Sequence, residues 1–303
     1  MRRYTVRHET HYQYGAAVDL GLHQLRLTPV GAGRQALLEH ALTITPEPDF
    51  LTQFRDHFGN DVHAVSIESR HSAFSVVLQA TVEIADDDGV VADGPAWEII
   101  HEQMQQDGFP EPPDVAEFTY PSPLAQQNEA AVAYVRESFA AGVSIVPALR
   151  HLLARMHAEF AYTPGITDVT TAVAQVMESR AGVCQDFAHV MISGLRGLGL
   201  PARYVSGYLR TYPPESGAGL QGADASHAWV SVWCGAELGW VDCDPTNNLI
   251  VTDEHIAVAY GRDFSDVTPL RGVILGGGQH GLSVAVSVTE NSVGSDGAGG
   301  GPA

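Results

Sequence analysis

The period of the apolar pattern changes once along this chain, and a run of prolines marks where. Up to about residue 85 apolar and polar residues alternate. Tyr4, Val6 and His8 fall against Thr5, Arg7 and Glu9, the period of a half-exposed strand. Leu22–Leu27, Leu37–Ile44, Gln53–His57, Val62–Ile67 and Phe74–Ile84 are further strand candidates. Turn residues separate them at Pro29 to Gly33, Pro46 to Asp49 and Gly59-Asn60-Asp61. Short strands with regular turn signals predict an antiparallel, sandwich-like β domain. Asp86-Asp87-Asp88-Gly89 lacks the alternating ligands and distal glutamate of a calcium loop, and reads as a solvated turn.

Residues 86–123 form a junction. Trp97–Gln106 reads as a short helix, and Pro110, Pro112, Pro113, Pro121 and Pro123 predict an extended segment. Beyond Leu124 the spacing becomes helical over Ala130–Phe139, Ile145–Phe160 and Thr171–Glu178. A loop, a helix and a strand then follow in GVCQDFAHVMISGLRGLGLPARYVSGYLR. His227–Cys234 and Leu238–Cys243 are two more strand candidates, and Val273 to Val288 adds a last strand or two. The expected organisation is a β-rich domain with its proline-rich junction (1–123), an α+β core of helices on an antiparallel sheet (124–275), and a final strand with a Gly-rich, disordered tail (276–303).

The formal net charge of −20 repels phosphate backbones and anionic lipid, so neither nucleic acid nor membrane is an expected partner. All the basic side chains are arginine, since the sequence holds no lysine. No signal peptide or spanning segment is read in it, and a cytoplasmic location is the expectation. Cys184, Cys234 and Cys243 are too few for a disulfide framework. His227, Cys234 and Cys243 lack the paired spacing of a zinc site, so no metal or cofactor is expected.

Cys184 stands where a loop enters a helix. There the free N–H groups and the positive end of the dipole stabilise a thiolate. Phe187, Ala188, Met191, Leu195 and Leu198 continue an apolar stripe from it. A thiolate nucleophile needs a base, and His227, at the head of HAWVSVW, is the best placed. The base needs a carboxylate to orient it. If the two strands pair as a hairpin through Gly235–Glu237, the end of GWVDCD comes beside His227. Asp242 and Asp244 both compete there, with Asp244 nearer the hairpin's open end. The other histidines, His23, His189 and His255 among them, show no partner pattern and read as structural.

Taken together, GVCQDFA, SHAWV and GWVDCDPTNN resemble the core of the transglutaminase-like superfamily. DHFGNDV resembles the β-rich region that precedes that core in bacterial members. The resemblance covers roughly residues 1–290 and implies a papain/transglutaminase-like core. It implies a Cys184–His227–Asp244 triad, which decides between the two aspartates. It also implies a cleft lined by Tyr162, Gln185, Tyr208 and Trp229, with the Cys184 N–H in the oxyanion hole. Ser231 departs from the acidic residue many bacterial relatives carry after HAWV. The implied activity is thiol-dependent amide hydrolysis on a peptide or protein substrate, with protein-glutamine acyl transfer and a non-catalytic peptide-binding module as alternatives. The long Glu215–Gly222 stretch is a candidate gate. Oligomeric state is left open.

Overall fold

A computed structural model describes residues 1–86, 91–105, 113–212, 219–223 and 225–291. Most of the acidic turn at 86–89, the first half of the 215–222 stretch and the tail from 292 lie outside the described residues.

Five strands come first: β1 (Arg2–Leu25), β2 (Gln35–Thr45), β3 (Phe50–Arg55), β4 (Asp61–Ile67) and β5 (His71–Ile84). The two strands expected over residues 4–14 and 22–27 are one continuous strand. Its register against β5 shifts between Gln13 and Val18, so its halves serve different neighbours. The first half pairs with β5 and the second with β4, giving the order β2-β5-β1-β4-β3. Alternation along β1 buries Tyr4, Val6 and His8 and exposes Arg3, Thr5 and Arg7, which is why a curled sheet with one dry face forms.

The second half of the chain holds α1 (Trp97–Gln105), α2 (Glu129–Arg136), α3 (Ile145–Glu159), β6 (Ala161–Tyr162), α4 (Val173–Ser179), β7 (Ala181–Gly182) and α5 (Cys184–Gly197). Then come β8 (Ala202–Leu209), β9 (His227–Trp233), β10 (Trp240–Asp244), β11 (Leu249–Ile250), β12 (His255–Gly261), α6 (Phe264–Val267), β13 (Leu270–Gly276) and β14 (His280–Glu290). The junction differs from its expected extended form. Its stretch Pro113–Thr119 winds into a 3-10 turn, and Phe118 packs edge-on to Trp240 with centroids 5.5 Å apart. Strands β13 and β14 both pair with β1, so the chain returns to its first sheet.

The core sheet has the order β11-β10-β9-β8-β12, with α5 packed on it. Sequence periodicity predicts one apolar stripe on α5, yet every residue from Asp186 to Arg196 is buried. Both flanks are covered because glycines let α2 approach. A Cβ on Gly194 would lie 2.2 Å from Val135 Cγ2. The far end of α5 is tied to β8 by Arg196, whose guanidinium donates to the Ala202 carbonyl at 2.8 and 3.0 Å, to Arg262 O at 2.7 Å and to Ser122 Oγ at 3.1 Å. On β9, Ala228, Val230 and Val232 join the core that contains α5. Trp229 joins a second cluster with Val30, Val205 and Ala257, facing the first sheet's loop.

Candidate active site

Cys184 is the first residue of α5 and is half-buried. The turn leading to it is held by Asp186, whose Oδ2 accepts from the Val183 N–H at 2.8 Å and from Thr167 Oγ1 at 2.7 Å. Burial pushes the Asp186 carboxyl up from its ordinary pKa, partly offset by those two donors. Gly182 is required for this turn, since a Cβ there would sit 2.6 Å from Asp186 Oδ2. The helix N-terminus thereby presents Cys184 with free N–H groups beside it.

His227 and Asp244 sit at the open end of the β9–β10 hairpin, as the topology implied. His227 Nε2 donates to Asp244 Oδ2 at 2.9 Å, with both side chains buried. That bond places the proton on Nε2 and leaves Nδ1 as the basic nitrogen. Nδ1 is buried without a hydrogen bond of ordinary geometry, but Cys184 interacts with the imidazole. Burial opposes the imidazolium, and the Asp244 charge and Cys184 outweigh it, so the His227 pKa is raised.

Asp244 receives five hydrogen bonds. Oδ1 accepts from the N–H groups of Thr246 at 2.9 Å and Asn247 at 3.1 Å. Oδ2 accepts from His227, from Asn247 Nδ2 at 2.7 Å and from His255 Nε2 at 3.0 Å. Burial alone would favour the neutral acid, but these donors and the imidazolium hold Asp244 far below the usual carboxylate range. His227, Asp244 and His255 lie close enough to chelate an ion. The hydrogen bonds already account for that closeness, because each imidazole N–H is directed at the carboxylate.

Sequence reasoning missed His255. It heads β12 as His227 heads β9, with β8 between the two strands, where Gly207 pairs with His227 and Leu209 with His255. The rejected carboxylate, Asp242, holds Trp229 instead, accepting from Nε1 at 3.0 Å. The Trp229 indole lies nearly parallel to His227 at 6.3 Å and edge-on to His255 at 5.1 Å.

The four expected cleft residues separate. Tyr162 is half-buried near His227: a Cβ built on Gly222 would lie 3.6 Å from its hydroxyl and 2.7 Å from His227 Nδ1. Trp229 is buried against the imidazoles and braces them. Gln185 turns away, donating from Nε2 to Val169 O at 3.2 Å. Tyr208 is buried beside His8 and donates to Leu27 O at 3.1 Å, at the contact between the two sheets. Cys234 and Cys243 are buried, and their thiols point at the Val232 and Val241 carbonyls. No helix among the described residues is long and apolar enough to cross a membrane.

Comparison with known proteins gives the family of the chain. Residues 4–83 match the model of the bacterial transglutaminase-like N-terminal region, and residues 135–245 match that of the transglutaminase-like superfamily. An uncharacterized protein of Mycobacterium tuberculosis is 37% identical over 90% of this chain and 87% of its own. One of Mycobacterium leprae is 30% identical over 95% of this chain and 99% of its own. A solved structure from Cytophaga hutchinsonii, a candidate cysteine protease, superposes with a TM-score of 0.72 at 21% identity, covering 95% of this chain and 90% of that one. A protein-glutamine gamma-glutamyltransferase of Pseudomonas aeruginosa is 37% identical over 30% of this chain and 14% of its own. With a curled antiparallel sheet leading into a core that carries a cysteine at a helix start, this chain belongs to the transglutaminase-like superfamily.

Proposed function

We propose that the chain is a thiol-dependent amide hydrolase acting on peptide or protein substrates, with Cys184 as nucleophile, His227 as general base and acid, and Asp244 as its orienting carboxylate. The observation that carries this reading is the His227 tautomer: Nε2–H is committed to Asp244, and Nδ1 is left for the Cys184 side.

In the first half-reaction the Cys184 proton passes to His227 Nδ1 and the thiolate attacks the amide carbonyl. The Cys184 N–H at the start of α5 donates to the developing oxyanion. Collapse breaks the C–N bond as His227 returns the proton to the leaving amine, giving a thioester. In the second half His227 takes a proton from water, hydroxide adds to the thioester, and the thiolate leaves with the acid as product.

A primary amine in place of water would make the same thioester an acyl-transfer intermediate. The match to a Pseudomonas aeruginosa protein-glutamine gamma-glutamyltransferase favours that second reading, but over 30% of this chain only. The Cytophaga hutchinsonii neighbour, which aligns with nearly the whole chain, bears a protease designation and favours hydrolysis. Mass spectrometry of a mixed peptide library, incubated with the wild type and with Cys184→Ala, tests the choice. Cleaved or deamidated products that require Cys184 are expected. Amine-adducted products would assign acyl transfer, and no Cys184-dependent product would sink the hydrolase reading for peptides.

A further inference from the structure

Two arginines packed into this core are treated differently, Arg196 buried and Arg203 half-buried. Arg196 has every arm of its guanidinium satisfied by a carbonyl or hydroxyl. Arg203 has no hydrogen bond or ion pair among the described residues, and its Nε is buried without a partner. It is held between two aromatic faces instead, 4.2 Å from the Trp240 ring centre and 3.9 Å from that of Tyr260. Burial lowers its pKa, with Tyr260 and Asp242 opposing, and it stays cationic. A half-buried cation with no ion pair is costly, and the ring faces and the more distant Asp242 charge offset only part of that cost.

The row of side chains around Arg203 explains why it is unpaired. Across the sheet Arg203 on β8 is opposite Ser231 on β9, which is opposite Asp242 on β10. Ser231 is fully buried and its hydroxyl has no partner among the described residues. Asp242 is one strand too far and is engaged by Trp229. The guanidinium therefore has a neutral neighbour where a carboxylate would complete it.

Arg203 opens on a cavity of about 710 Å3 between the core sheet and the first sheet, lined also by Val30, Trp229, Trp240 and Tyr260 and by two carboxylates, Asp242 held by Trp229 and Asp61 by Arg55. Cys184 is not in its wall. The other two arginines at its rim are engaged, Arg34 with the Ala85 carbonyl at 2.9 Å and Arg55 with Asp61 at 3.6 Å. We propose that this cavity is a binding site for a small monocarboxylate with an apolar or aromatic body, its carboxylate paired with Arg203 and its body against Trp240, Tyr260 and Val30. With both faces of the guanidinium covered by rings, only its in-plane edge is open. A planar carboxylate meets that edge with two parallel hydrogen bonds. A chain of net charge −20 disfavours a polyanion in the same place.

The test is a tryptophan-fluorescence titration of the full chain with benzoate, acetate, benzamide and inorganic phosphate at constant ionic strength. Saturable binding of benzoate is expected, with benzamide roughly tenfold weaker or worse because it lacks the charge. Arg203→Met should lose benzoate by removing the cation, and Ser231→Asp by supplying a carboxylate beside it. Alkylation of Cys184 with iodoacetamide should leave benzoate binding unchanged, so a failure here is separate from any failure of the hydrolase reading. Equal binding of benzoate and benzamide, normal benzoate binding by Arg203→Met, or no saturable response to either carboxylate would overturn the proposal. Phosphate binding more tightly than benzoate would overturn the carboxylate assignment. The benzoate–benzamide comparison needs no variant, so it stands even if a substituted chain fails to fold.

Discussion

His255 Nε2 lies 3.0 Å from Asp244 Oδ2, on the same oxygen that holds His227. The carboxylate is therefore held by a second imidazole besides that of His227. Replacing His255 with alanine should loosen Asp244, which keeps its four other hydrogen bonds, and with it the orientation of His227. A lost hydrogen bond to a charged group is worth about 1.5–3 kcal/mol, so kcat on a Cys184-dependent substrate should fall by roughly 10- to 150-fold with little change in KM. His255→Gln, which keeps a donor, should recover part of the loss. A merely structural role would predict parallel losses in both variants, following their melting temperatures and not the donor.

Asp242 and Asp244 differ by one step along a strand and by their whole role. Asp244→Asn removes the acceptor that fixes the His227 tautomer, and kcat should fall by about 10³ or more. Asp242→Asn keeps an oxygen for the Trp229 indole at the same position. Its activity should stay within about tenfold of the wild type, a loss of at most ~1.4 kcal/mol in the barrier. Steady-state rates on one peptide substrate decide the matter. Equal losses would mean that the carboxylate on Trp229 shares the chemistry.

The two aspartates also show what the sequence could and could not convey. Strand alternation and the hairpin brought His227 and Asp244 together in advance, because pairing order follows from connectivity. Cys184 was legible because a helix start is a local feature. The side-chain partners of Gln185 and Tyr208 are not legible for the converse reason. The Gln185 side chain follows the 163–172 loop, and Tyr208 follows a contact with Leu27, 181 residues away. His255 needs a three-strand neighbourhood that neither alternation nor motif spacing encodes. The single long β1 was read as two strands because its turn-like middle, Gly15-Ala16-Ala17, is a register shift and not a break.

Stability should fall on both sides of neutrality, for opposite reasons. His8, His23 and His189 are buried and neutral, with pKa values lowered by burial from 6.5 to about 4. The unfolded chain binds protons at these sites that the native chain refuses. Their contribution is complete above pH 6.5 and is lost as pH falls through about 4. Unfolding between those limits should take up about three protons per chain from these sites, and His189→Gln should remove about one of them. His227 runs the other way. Its pKa is raised to about 10, so its contribution is complete below pH 6.5 and is lost as pH rises through about 10. Urea melts across pH 4–10 would check both limbs, comparing the wild type with His189→Gln and Asp244→Asn. An alkaline slope that Asp244→Asn does not reduce would refute the assignment to the His227–Asp244 pair.

Gly222 closes the approach to the basic nitrogen of His227. Its φ of +88° favours glycine, and a Cβ there would sit 2.7 Å from His227 Nδ1. Gly222→Ala should therefore strain the segment and crowd the nitrogen that has to exchange a proton with Cys184. The residue is only half-buried. The expected outcome is a fall in kcat of about 10² or more, a barrier increase of roughly 2.7 kcal/mol, with a melting temperature within about 4 °C of the wild type. Thermal melts and single-turnover acylation of Cys184 separate the two effects. If the segment is only a tether, Gly222→Ala will acylate at the wild-type rate, and the approach to Nδ1 must then lie on the Tyr162 side of the imidazole.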